Sequence, residues 1–102
     1  MIELKMRIRD RKEYPKVQKR LLQQGVIWRG GARGFFTEGI SFLYIDYIEE
    51  RNVGTLTYGC YDEEDLFKEN VSVEVTVVEV LERPIKELAK ERKLLYYLKK
   101  NE

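Results

Sequence analysis

The chain has 102 residues, of which 43% are apolar and 36% charged. That length holds one ordinary domain with a thin core, and that apolar content excludes a disordered chain. Lysine and arginine number 19 against 18 aspartate and glutamate, a balance that excludes the broad positive field of a general nucleic-acid coat.

In chain order, Ile2, Leu4, Met6 and Ile8 alternate with Glu3, Lys5, Arg7 and Arg9. Strict period two predicts a strand with one face to the core and one to water. Asp10 to Glu13 reads as a capping box before a helix carrying Tyr14, Val17 and Leu21, with Gly25 as its stop. Pro15 removes a bond from the first turn, so the helix is either distorted there or starts at Pro15. A short strand follows at 26–28, then a glycine-rich loop.

Residues 41–48 are apolar on both faces, which predicts a central strand. A polar turn at 49–52 returns the chain to a hairpin partner at 53–58. Asp62 to Asp65 opens a short helix through Lys68, its acids set against the positive end of the helix dipole. Val71, Val73, Val75 and Val77 predict a further strand. Its phase slips at Val77-Val78, which reads as a bulge or a change of partner. Pro84 opens a last helix, 84–99.

The order β-α-β-β-β-α-β-α in one domain, 1–102, predicts an α+β fold. It has an antiparallel sheet of four to five strands with helices mainly on one face. No stretch is apolar and long enough to cross a bilayer, and the N-terminus has no leader-like run. With the single Cys60, these features set the expectation of a cytoplasmic protein.

Chemistry is thinly supplied. There is no histidine, the commonest general base and metal ligand, and Cys60 therefore has no imidazole to activate it. The run Asp62 to Asp65 lacks the alternating ligands and central glycine of a calcium loop. Asp46 with Glu49 or Glu50 offers carboxylates for a metal, without a lysine at a useful spacing. The expectation is a protein that is no enzyme and needs no metal or cofactor.

Two segments suggest binding instead. Trp28, Arg29, Gly30, Gly31, Arg33, Phe35 and Phe36 combine free backbone, forked donors and flat rings. That is a plausible pocket for a small anionic nucleotide, the plain alternative being a hairpin loop with its aromatics turned inward. In the helix over 84–100, Leu94, Leu95, Tyr96, Tyr97 and Leu98 are consecutive and exceed what one core-facing stripe needs. The surplus points to assembly with copies of the same chain, the lysines nearby staying in water rather than on a membrane.

Tyr14-Pro15-Lys16-Val17-Gln18, then Leu21, Gly25 and Trp28, then Leu43-Tyr44-Ile45 and Tyr58-Gly59, form a pattern over roughly residues 2–80. It resembles a group of small, mostly uncharacterised proteins of tailed phages. The resemblance implies a host-takeover or anti-defence role in the host cytoplasm, such as sequestering a small nucleotide signal. An inhibitor that blocks a host or defence protein is the alternative, and a nucleic-acid binder a third. The resemblance carries over no ligand-binding residue.

Overall fold

The computed structural model describes residues 1–31 and 39–101. Its elements are β1 (Ile2–Arg7), α1 (Tyr14–Gln23), β2 (Val26–Trp28), β3 (Phe42–Ile48), β4 (Val53–Gly59), α2 (Glu64–Glu69), β5 (Val73–Val75), α3 (Val77–Glu82) and α4 (Ile85–Lys100). The fold is α+β, as expected. Five strands form one sheet in the order β2-β4-β3-β1-β5.

The sheet is mixed, which corrects the antiparallel expectation. β3 lies antiparallel to β1 and β4, whereas β2 pairs with β4 and β5 with β1 in parallel. The cause is in the connections. A helix between two strands carries the chain back to its starting end, so the next strand runs the same way. α1 does this between β1 and β2, and α2 between β4 and β5.

The two crossovers move in opposite directions across the sheet. Crossovers of one hand that move in opposite directions lie on opposite faces. Accordingly α1 packs with α3 and α4 on the face of Ile2, Leu4, Met6, Leu43, Ile45 and Leu56, where Val17, Leu21, Val80, Ile85 and Leu88 complete the core. α2 packs on the other face through Phe67, which stacks on Phe42 and meets Tyr44 at a tilt.

The local signals read differently in two places. Tyr14 is the first helical residue, and Asp10 accepts from the Lys12 amide at 2.9 Å instead of capping the helix. The valine-rich stretch is not one strand. β5 ends at Val75, Thr76 caps α3, and the phase slip at Val77-Val78 is the change from period two to a helix. Thr76 Oγ accepts from the Glu79 amide while the Glu79 carboxylate accepts from the Thr76 amide, a complete capping box. Gly25, at φ +80°, ends α1 in the left-handed region, and a Cβ there would stand 3.2 Å from the Asn52 carbonyl oxygen.

α4 is held at several points along its length. Its first amide, on Ile85, donates to Gln24 Oε1 at 2.5 Å, and Lys93 pairs with Glu49 at 3.0 Å. Lys99 Nζ donates to the Ser72 carbonyl oxygen at 3.0 Å. Arg83 reaches Glu87 and Glu91, while Arg92 ties Glu79 of α3 to α4.

Candidate functional site

The glycine loop begins where β2 leaves the sheet. The Gly31 amide donates to the Trp28 carbonyl oxygen at 2.9 Å, closing a tight turn, and the Arg29 amide donates to Leu56 at 3.0 Å. Gly30 and Gly31 hold φ +94° and +91° and are exposed, so glycine suits both positions. Two of the amides expected to face an anion are thus used within the fold.

Trp28 is 5% exposed and belongs to the core, where it meets Tyr58 edge-on with ring centroids 6.1 Å apart. A ring in that position cannot stack on a base. Arg29 is largely exposed, and its guanidinium donates to Asp46 Oδ2 at 2.9 Å. Burial raises the Asp46 carboxyl above its usual range, with Glu3 adding to the shift and Arg29 opposing it. Glu3 and Asp46 are direct cross-strand partners, so Arg29 relieves a like-charge contact. Arg33, Phe35 and Phe36 lie outside the described residues.

The five consecutive apolar residues of α4 divide. Tyr96 turns into the core and is fully buried. Leu94, Leu95, Tyr97 and Leu98 are 71%, 51%, 38% and 58% exposed. Leu94 and Leu98 share a helical face with Glu87 and Glu91, opposite the buried Ile85, Ala89 and Tyr96. Lys100 lies 5.8 Å from the Tyr96 ring centroid, on the helix's other side.

Among the described residues, one group could bring three metal-ligating atoms within 4.8 Å of one another: Cys60, Asp62 and Glu63. Its geometry serves the chain instead. Glu63 Oε2 accepts from the Cys60 amide at 2.5 Å, and the Cys60 side chain accepts from the Glu63 amide. Asp46 and Glu49, considered as carboxylate ligands from the sequence, each pair with a cation, Arg29 and Lys93.

The sequence reading passed over Arg7, Arg9 and Arg11. Arg7 and Arg9 share a side by the period-two spacing at the extended end of β1, Arg11 follows in the turn, and the three border hollows that they share with Tyr61. For Arg7 and Arg9 the signal is the alternation itself.

The residues that carry the phage-protein resemblance are framework: Tyr14, Val17, Leu21, Trp28, Leu43 and Ile45 are buried, and Gly25 is a helix stop. No family model, no curated protein and no solved structure matches the chain.

Proposed function

We propose that this is a non-enzymatic binding protein that works by protein–protein contact, associating with a second copy through the C-terminal half of α4. The observation that supports it is the cluster Leu94, Leu95, Tyr97 and Leu98, turned away from the core on one rigid helix. Large apolar side chains grouped on an otherwise charged surface mark association sites.

Magnitude sets the strength. Full burial contributes ~1.5–3 kcal/mol per large apolar side chain, and these four are already partly covered. The gain is several kcal/mol, the same order as the loss of rigid-body freedom on association. The contact is therefore concentration-dependent unless further surface joins it.

Sedimentation velocity over a wide concentration range tests this reading. The wild-type chain moves from monomer toward dimer, and Leu94→Glu with Leu98→Glu stays monomeric with unchanged circular dichroism. A wild-type monomer at every concentration, or association untouched by the two substitutions, would overturn it. Both positions are exposed, so the variants retain the core.

A further inference from the structure

The geometry points to a small-anion site beside the end of β1, shaped for a nucleoside monophosphate, with Arg9 and Arg11 on the phosphate and Tyr61 under the base. It is independent of the α4 contact. Past Arg7 the chain stays extended for one more step, where the Ile8 amide donates to the Ser41 carbonyl oxygen at 2.9 Å. Arg9 then borders two adjoining hollows of about 260 and 310 Å³. Arg9, Ser41 and Tyr61 border both, with Arg11 in the first and Arg7 in the second. A depression of this size is at the small end of ligand pockets, right for one nucleotide and too small for more.

The donors there are unspent. Among the described residues, neither guanidinium of Arg9 and Arg11 has an ion-pair or hydrogen-bond partner, and the Ser41 hydroxyl has none either. Arg7, by contrast, is committed. Its guanidinium bonds Glu64 at 2.6 Å and lies 5.4 and 4.9 Å from the Phe42 and Phe67 ring centroids. This fixes the wall of the hollow and neutralises Glu64, the one carboxylate that borders it among the described residues. The Glu64 carboxyl is held below its usual range, first by the Arg7 bond and then by the charges of Arg7, Lys68 and Arg9.

The aromatic wall common to both hollows is Tyr61, 81% exposed at the start of a 3-10 turn. An aromatic so exposed gains little from the fold. A flat ring next to unpaired forked donors is what a base joined to a phosphate requires. Arg29, the arginine of the glycine loop, does not meet this condition, because Asp46 holds it.

The test is an amide NMR titration of the full chain with adenosine monophosphate, with adenosine and inorganic phosphate as the separate halves. The expected result is saturable shifts at Arg9, Arg11, Ser41 and Tyr61, with each half binding more weakly than the whole. Removing charge-assisted bonds of ~1.5–3 kcal/mol weakens affinity by about ten-fold or more, so Arg9→Ala with Arg11→Ala loses at least that. Tyr61→Ala loses adenosine monophosphate affinity while leaving inorganic phosphate unchanged. Leu94→Glu leaves all binding unchanged, which keeps this site separate from the α4 reading. No saturable shift, shifts centred on Arg29 to Gly31, or wild-type affinity in the arginine double variant would overturn the proposal. So would equal affinity for inorganic phosphate and the nucleotide.

Discussion

Lys5 Nζ donates to the Phe67 carbonyl oxygen at 2.5 Å and to the Asn70 carbonyl oxygen at 3.0 Å, so a buried lysine from the middle of β1 closes the C-terminal end of α2. The same ammonium sits 4.7 Å from the Phe67 ring centroid. A six-residue helix cannot hold itself in water, and its last carbonyls need partners. Burial lowers the Lys5 pKa, and Lys99 lowers it further, while the carbonyls at the negative end of α2 favour its ammonium. Lys5→Met is expected to cost about 2–3 kcal/mol, since it removes charge-assisted bonds and orphans two carbonyls. Urea unfolding measures the loss, and hydrogen exchange should speed up first at the amides of α2.

Tyr14 presents the opposite case. Its ring is buried in the core, and its hydroxyl has no hydrogen-bond partner among the described residues. A buried donor without a partner carries its full desolvation cost. Tyr14→Phe should therefore stabilise the fold by about 1 kcal/mol, raising Tm by roughly 4–8 °C. Calorimetry of the two proteins decides it, and a lower Tm in the variant would show that the hydroxyl is satisfied in solution.

Alkaline stability should depend on Tyr96. Burial, then its hydrogen bond to Glu3, pushes its pKa up to about 12 from 10.0. Between those values the folded state holds a proton that the unfolded state has released. Stability from this group is complete below pH 10 and falls as pH rises toward 12. Tyr14, raised by burial, acts in the same direction. Lys5 acts in the opposite one, its lowered pKa letting the folded state shed a proton first. Tyr96→Phe should flatten the decline in a pH series of urea midpoints.

Thr76 stands alone between β5 and α3, and its side chain caps α3. Thr76→Ala removes the acceptor for the Glu79 amide and should cost about 1 kcal/mol, while Thr76→Ser should restore most of it. Glu79 has a second task. It accepts from Arg92 of α4, so Glu79→Gln should cost more than the cap alone and loosen α4 against α3. Chemical denaturation of the three variants separates the two contributions.

The parts of the fold legible from sequence are those where one periodicity governs a whole element. β1 shows clean alternation because one of its faces is wholly core. The segment 42–48 reads as apolar on both faces because α2 covers part of its outer side. The Val71 to Val80 stretch fails because valine is compatible with either period and hides the boundary. The boundary was nonetheless written in Thr76-x-x-Glu79. In α4 the surplus of apolar residues was legible, but which of them turns inward was not. Ile85, Leu88 and Arg92 continue to Leu95 by a step of three or to Tyr96 by a step of four, and only the packed core chooses Tyr96. On the site side, the three glycines beside Trp28 leave its ring free to face either way, and its alternation with Val26 puts it on the core face of β2.

The position of β1 in the sheet governs the order in which the protein can form. β1 is the first strand in the chain, yet its neighbours are β3, some forty residues on, and β5, near residue 74. No local hairpin shelters it. The β3–β4 hairpin can close early, but Leu4 and Met6 wait for the far end of the chain to arrive on their open side. Contacts of such long sequence separation slow folding well below the speed of a helical protein of equal size. An extended apolar strand stays bare meanwhile, so crowding during synthesis, more than the finished structure, sets where this chain is most exposed to aggregation.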